Sequence, residues 1–489
     1  MMKIFTISTI LSCLISLVAL AQPSTLTVGN TTLDVRVVIQ GSNSSNGIDI
    51  PWEIQWGPDN FIWMTERSGR VSRLNPETGA RTTILDLSNA VYDQSEAGLL
   101  GLQLHPDFEN NPYVFLAYTY SSGGVKERIV RYTYNSTSNT LGSPMILLDN
   151  INGNSTHIGC RLLILPDNTM LATTGDYQNQ SSPQDDNALN GKILRMNLDG
   201  TIPSDNPFGP TSYVYSKGHR NAQGLLIAPN GTIYSSEHGP TTDDEFNIIV
   251  PGGNYGWPDV AGFCNSTSEM AACNTMTDYQ DPLAIWYSGS TIAPSDIVYY
   301  NHPAIPEWQG KILMAVLKAE HIKVIELDNV DGTTVVDQEI MFNTAHANNP
   351  TSSFNQGLLN RLRDLCVAPD GRVFVATSGS SWSNTSPFTH SILELENSSY
   401  SPTSIENEQL AVRTRVYPNP TSGLTKISFA SELVGADYVI TDFTGRIIAT
   451  EQITAANVTA DFSALASGLY IIQSTNGNYT TSERLVISK

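Results

Sequence analysis

One local signal recurs six times along this chain: a proline-bearing turn followed by a short run of β-branched and aromatic residues. Gly57-Pro58-Asp59-Asn60 precedes FIWMT, His105-Pro106-Asp107 precedes YVFLAYTY, and Leu165-Pro166-Asp167-Asn168 precedes TMLATTGD. Ala228-Pro229-Asn230-Gly231 precedes TIYSSE, His302-Pro303 precedes KILMAVL, and Ala368-Pro369-Asp370-Gly371 precedes RVFVATSG. Proline presets φ while Asp, Asn and Gly accept the chain reversal, so each signal reads as a β-hairpin. The six prolines are separated by 48, 60, 63, 74 and 66 residues. A β unit of that size cannot bury both faces of its own sheet, so the repeats must stack on one another. Radial packing of four-stranded blades does this, whereas an up-and-down barrel needs shorter and more even spacing. The spacings exceed the ~40–45 residues of a compact blade, so the repeats carry long loops. The expected fold class is all-β, a six-bladed β-propeller over residues 22–396.

The two ends of the chain read differently. Lys3, the apolar run Ile4–Leu20 and the small-residue site Ala19-Leu20-Ala21 form an export signal over residues 1–21. A membrane anchor is the competing reading, but Thr6, Ser8, Thr9, Ser12 and Ser16 interrupt the run, and Cys13 has a poor context for lipidation. No later segment approaches the ~20 apolar residues that a membrane span needs. Residues 397–411 are polar without strand alternation and read as a linker. Residues 412–489 show short alternating strands between turn signals, the pattern of a small C-terminal β-sandwich.

The formal net charge of −21 repels phosphate backbones and anionic membranes, which argues against nucleic acid as a partner. Cys264 and Cys273 lie nine residues apart in a polar loop, and an oxidising compartment favours a local disulfide between them. Cys160 and Cys366 adjoin apolar strand residues and read as buried hydrophobes.

Chemistry-bearing groups fall in the turns and at strand ends. His157 follows a polar turn, and Asp176 ends the next strand; a histidine with a carboxylate partner is the minimal general base. A solvated loop histidine is the plainer alternative. Lys318 interrupts an apolar strand, and Arg361 and Arg363, two apart, share a strand face. With Arg220 they make a cationic mouth for a small polyanion, or else pair with Asp364 and Glu320. The run Asp243-Asp244-Glu245, after Gly239-Pro240, offers oxygen donors to a hard cation such as calcium, or is simply a solvated acidic loop.

Taken together, these segments resemble the soluble quinoprotein glucose and aldose sugar dehydrogenases that use pyrroloquinoline quinone (PQQ). The resemblance covers roughly Ile48 to Leu395. It rests on GLLGLQLHPDF (98–108), HIGCRL (157–162), TTGD (173–176), GKILRMNLDGTIPSDNPF (191–208) and GHRNAQGL (218–225). SEHGPTTDDEFNII (236–249), GGNYGWP (252–258), TIAPS (291–295) and NRLRD (360–364) complete it. The resemblance implies His157 as general base, with Asp176 as its carboxylate. It implies Arg220 and Asn221 at the quinone oxygens, and Lys318, Arg361 and Arg363 on the cofactor carboxylates. Backbone oxygens of Gly239 and Pro240 are implied as ligands of a catalytic calcium. Glu245 is implied at a second calcium, with backbone oxygens of Tyr255 and Ala261.

Four departures from the family pattern stand out. Glu96 stands where glucose-oxidising members carry Gln near a sugar hydroxyl, Gly289 replaces an expected aromatic, and Thr156 and Asn265 stand where carboxylates can serve the second calcium. They favour a broad aldose substrate, with an external electron acceptor. A propeller that only binds glycan or protein, and a calcium-dependent lactone hydrolase, are the alternatives. The tail resembles the sorting domain of type IX secretion substrates, through Tyr417-Pro418-Asn419-Pro420, Asp442-Phe443-Thr444-Gly445-Arg446, Gly468-Leu469-Tyr470 and a final strand ending at Lys489. It implies delivery to the cell surface or medium by the type IX secretion machinery.

Overall fold

The computed structural model describes residues 25–41, 47–286, 289–328, 332–341, 361–378, 390–401, 414–417, 419, 421–429, 433–442, 446–476 and 479–489. The expected signal over 1–21, with Cys13, and most of the expected linker lie outside the described residues. Among the described residues no helix is long and apolar enough to cross a membrane. Two compact units divide between Ser399 and Tyr400.

In the first unit all six proline turns do the same job. Each joins the first and second strands of a sheet, as Pro58 joins Pro51–Trp56 to Ile62–Glu66 and Pro369 joins Leu362–Val367 to Val373–Thr377. The other first strands are Leu99–Leu104, Gly159–Ile164, Ala222–Ile227 and Pro294–Tyr300. Six antiparallel sheets, five of four strands and one of five, follow in the described residues. Each first strand packs against the next, and the last returns to Pro51–Trp56, so the first strands line the centre of a closed propeller. Neighbouring sheets share apolar clusters, such as Trp52, Phe115, Met170 and Leu194, which removes both faces of each sheet from water. The ring is latched by the chain's own N-terminal segment. Strand Thr31–Ile39 pairs with Ile392–Glu396, and Arg36 binds Glu394 through Nε at 3.0 Å and Nη2 at 2.7 Å.

Every first strand carries a register irregularity near its beginning: at Pro51/Glu53, Leu99/Leu102, Gly159/Leu162, Ala222/Gly224, Pro294/Ile297 and Leu362/Asp364. Bulges re-aim side chains and sharpen local twist. Just before these strands, Ile50, Ser95, His157, Ala293 and Arg361 take φ of 23°, 57°, 55°, 58° and 53°. Non-glycine residues rarely adopt that region, and such strain concentrates at functional sites. One end of the ring is therefore irregular in sheet after sheet, while the proline turns close the other.

The disulfide Cys264–Cys273 is present, next to the short helix Thr267–Cys273, and Cys160 and Cys366 are free and buried. Among the described residues the second unit has a three-stranded and a four-stranded sheet. Ile427, Phe429, Tyr438, Ile440, Ile472 and Leu485 form its core, as expected of a small sandwich.

Candidate active site

The irregular end of the ring gathers the expected residues. Glu96, His157, Arg220, Asn221 and Arg361 immediately precede first strands, whereas Asp176, Gly239 and Lys318 follow second strands. A cleft of about 470 Å³ beside Trp56, Gln103, His105 and Phe108 lies at the proline-turn end and contains none of them.

His157 and Asp176 form a buried pair. His157 Nδ1 lies 2.7 Å from Asp176 Oδ1, at 9% and 1% residue exposure respectively. Gly175 makes the approach possible, since a Cβ there would fall 1.9 Å from the His157 carbonyl oxygen. Burial alone would raise the Asp176 carboxyl. Hydrogen bonds from His157, from the Gln178 N–H at 2.9 Å and from the Trp257 indole at 2.9 Å hold it below its ordinary value. Asp176 is therefore an anion at neutral pH and an acceptor only, so Nδ1 carries the proton and Nε2 presents the lone pair. The ring points its basic nitrogen away from its anchor.

Glu96 stands beside this pair, its Oε2 accepting the His157 backbone N–H at 2.9 Å. Its charge also acts on Arg220, Arg361 and Arg363, which marks one shared electrostatic centre. Glu237 fixes the Arg220 segment by accepting the backbone N–H groups of Arg220 and Asn221 and bonding His219 Nδ1 at 2.9 Å. The Arg220 guanidinium lies 5.5 Å from the Trp257 ring centroid and donates to the His238 carbonyl at 3.3 Å, while its buried Nε has no partner among the described residues. Arg363 is 4% exposed; its Nη1 reaches Gln223 at 3.3 Å, and its Nε has no partner among the described residues. Burial, then the neighbouring Arg361, push Arg363 down to about 9. His238 is pushed down to about 3 by burial and by Arg220 and Arg363, so it faces both cations as a neutral ring. A buried and a half-buried guanidinium, each with a buried Nε unbonded among the described residues, suit a site built for an anion.

Several expectations need adjusting. Arg361 lies before its strand rather than on it, and a bulge separates it from Arg363, so period-two alternation does not relate the two. Lys318 follows strand Lys311–Val316 in an exposed turn, with Nζ 2.5 Å from Ser290 Oγ. Asp364 does not pair with Arg363. It joins Glu53 and Asp296 around Arg161, whose Nη1 lies 2.7, 2.5 and 3.5 Å from their oxygens. Asn221 turns its Oδ1 to the Gly159 N–H and to Gln223, each at 3.1 Å.

The acidic run is structural in part. Asp244 accepts from Gly239 N at 2.9 Å, Thr291 Oγ1 at 2.7 and 2.5 Å, Ile292 N at 2.6 Å and Ala293 N at 3.1 Å, binding two loops together. Glu245 accepts from Gly262 N at 2.8 Å and Asn247 at 3.0 Å, and burial followed by Glu237 raises it to about 8. The Tyr255 hydroxyl donates to Ile248 O at 2.5 Å and accepts from Val250 N at 3.0 Å, while Ala261 is half-buried nearby in sequence. Among the described residues no three His, Cys, Asp or Glu side chains are grouped to hold a metal. The turn at Gly239 does offer backbone oxygens: a Cβ there would lie 2.0 Å from Thr242 O and 2.5 Å from Asp243 O.

Trp257, Gln178, His238 and the Arg161 cluster went unassigned from sequence. Apart from the Gln178 N–H bond to Asp176, their partners lie about 20 to 200 residues away, and the motifs holding Trp257, His238 and Arg161 gave those residues no role.

Comparison with known proteins places the chain in a family. The Glucose / Sorbosone dehydrogenase family model matches residues 48–383, and the Secretion system C-terminal sorting domain matches 415–488. Quinoprotein glucose dehydrogenase B of Acinetobacter calcoaceticus is 34% identical over 421 residues, covering 70% of this chain and 84% of its own. Aldose sugar dehydrogenase YliI of Escherichia coli K12 is 28% identical over 352 residues, covering 68% and 88%. The PQQ-bound aldose sugar dehydrogenase of Streptomyces coelicolor superposes with a TM-score of 0.60 at 30% identity, covering 74% of this chain and 98% of its own. By fold, motif and the extent of these matches, the chain belongs to the glucose/sorbosone dehydrogenase family and carries a C-terminal secretion sorting domain.

Proposed function

We propose that this protein is an exported aldose dehydrogenase that uses PQQ and calcium, oxidising the anomeric carbon of a sugar to a lactone. The observation that carries the reading is the oriented His157–Asp176 pair set beside half-buried Arg220 and buried Arg363, whose Nε atoms are unbonded among the described residues. The name of the Acinetobacter relative and the PQQ-bound Streptomyces structure support the cofactor. Two roles follow for the chain's own groups. His157 Nε2 takes the proton of the anomeric hydroxyl while C1 gives up its hydrogen with the bonding pair and the C1–O bond becomes a carbonyl. Arg220 steadies the negative charge that develops beside it. Arg361, Arg363 and, from an exposed turn, Lys318 would hold the cofactor carboxylates, and Asn221 would stand with Arg220 at the quinone oxygens. The backbone carbonyls of Gly239 and Pro240 would hold a calcium ion, and bound PQQ would supply the two-electron acceptor that an external acceptor then reoxidises.

A second calcium fits less well. Glu245 already spends both oxygens on internal hydrogen bonds, so Glu245, Tyr255 and Ala261 carry no step here. Glu96, whose carboxyl accepts the His157 N–H, replaces a neutral amide expected in glucose-oxidising members, which favours a broad range of aldoses. The sorting domain supports release through the type IX machinery, with the mature chain starting near Gln22.

The test is reconstitution of purified protein with PQQ and calcium, followed by dye reduction across a panel of aldoses. Sugar-dependent reduction is expected; quinone binding without oxidation of any aldose would leave a binding propeller instead. Replacing Arg363 with Ala is expected to weaken PQQ binding by ~2–3 kcal/mol, the scale for deleting a charge-assisted hydrogen bond in a buried site. Fluorescence titration of the unreacted protein reads this directly. An unchanged affinity would make Arg363 structural.

A further inference from the structure

We propose that Gln178 is a displaceable cap on the general base, a side chain that a sugar hydroxyl must push aside before His157 can act. The inference rests on the reading of His157 as that base. Gln178 is exposed, yet it is bonded to both members of the buried pair. Its backbone N–H donates to Asp176 Oδ1 at 2.9 Å, the same oxygen that receives His157 Nδ1. Its side-chain Nε2 lies 3.1 Å from His157 Nε2 and 2.9 Å from Thr156 Oγ1.

The protonation argument fixes what the contact means. His157 Nδ1 faces an ionised carboxylate and must donate, so Nε2 of the neutral ring has only a lone pair to offer. The Gln178 amide N–H meets that lone pair, which is the position an anomeric hydroxyl needs for proton transfer. Sugar and amide compete for one acceptor. The backbone is built to hold the amide there: Tyr177 and Gln178 adopt φ of 43° and 68° in succession. The Tyr177 carbonyl is pinned by Asn154 Nδ2 at 3.1 Å and its N–H donates to the His157 carbonyl at 3.2 Å. Two adjacent non-glycine residues in this region are costly, and strain of this kind persists where the surroundings impose it. The side chain itself is exposed and can swing away without disturbing the core.

The variant of choice is Gln178→Asn, because Asn tolerates the left-handed backbone and its amide is one methylene shorter. Gln178→Ala serves as a second variant should the first misfold. Two readouts are needed. In protein without cofactor, the rate at which diethyl pyrocarbonate modifies His157, followed by peptide mass spectrometry, is expected to rise at least ~2-fold once the lone pair is uncovered, on the scale of one neutral hydrogen bond. In reconstituted enzyme, KM for aldose is expected to fall by about 2- to 12-fold, the range for one such bond, with kcat little changed. An unchanged modification rate, or a KM that rises, overturns the cap and makes Gln178 a structural or a sugar-binding residue. Faster modification in a protein that oxidises no aldose keeps the cap and sinks the dehydrogenase reading, so the two failures are told apart.

Discussion

A His157→Gln variant is expected to bind PQQ like wild type and to turn over aldoses at least ~10²-fold more slowly, the low end of what a positioned general base contributes. The size follows from where the ring sits. Nδ1 is committed to Asp176 at 2.7 Å, and the carboxylate is fixed on its far side by Trp257 at 2.9 Å, so Nε2 is oriented as well as basic. Glutamine preserves polarity and approximate volume but cannot take up a proton. The loss should therefore fall in kcat, with KM and quinone affinity almost unmoved. Asp176→Asn should cost a comparable or smaller factor, because an amide keeps the position while removing the anion that stabilises an imidazolium. Rapid-reaction reduction of bound quinone by sugar separates this step from reoxidation by dye. Wild-type rates of quinone reduction in the His157 variant would place the base elsewhere.

The propeller was legible because its signal is local. Six turns of Pro with Asp, Asn or Gly, read one at a time, proved to be the hairpins between first and second strands. His157 and Asp176 were legible for the same reason, since they flank one hairpin, 19 residues apart. What failed was reasoning that assumed a regular strand. Arg361 and Arg363 looked like neighbours on one face, but the bulge at Leu362/Asp364 and the left-handed turn at Arg361 break the alternation. Asp243, Asp244 and Glu245 looked like a cation site, whereas Asp244 is spent on loop groups 47 to 49 residues away. Composition cannot distinguish a carboxylate offered to a metal from one consumed by backbone N–H groups. Lys318 and Gln178 show the complementary limit, because exposure at a rim depends on how sheets close, not on the residues beside them.

The centre of the ring gives the largest stability effect. Arg161 is 1% exposed, and its Nη1 faces Glu53 at 2.5 Å, Asp364 at 2.7 Å and Asp296 at 3.5 Å, while Nε donates to the Gln223 carbonyl at 2.8 Å. These bonds tie the sheet of Arg161 to four other sheets across the centre of the ring. Replacing Arg161 with Met keeps much of the volume but leaves three buried carboxyls without their cation. Breaking such a network costs about 3–5 kcal/mol, unlike replacing every member by apolar groups, which is often neutral. The sign of its pH dependence follows from the carboxyls. Burial already raises Glu53 to about 8 and raises Asp296 and Asp364, against the lowering pull of Arg161. An acid whose folded pKa is raised keeps its proton in the native state after the unfolded chain has lost it, so stability declines as pH climbs from the unfolded value toward the folded one. Removing Arg161 raises all three further and deepens that decline. The destabilisation in urea should therefore be smaller at about pH 5 than at about pH 8, the two sides of that climb. Equal losses at both values would show that Arg161 acts by packing against Trp52, 4.5 Å from its guanidinium, rather than by holding charge.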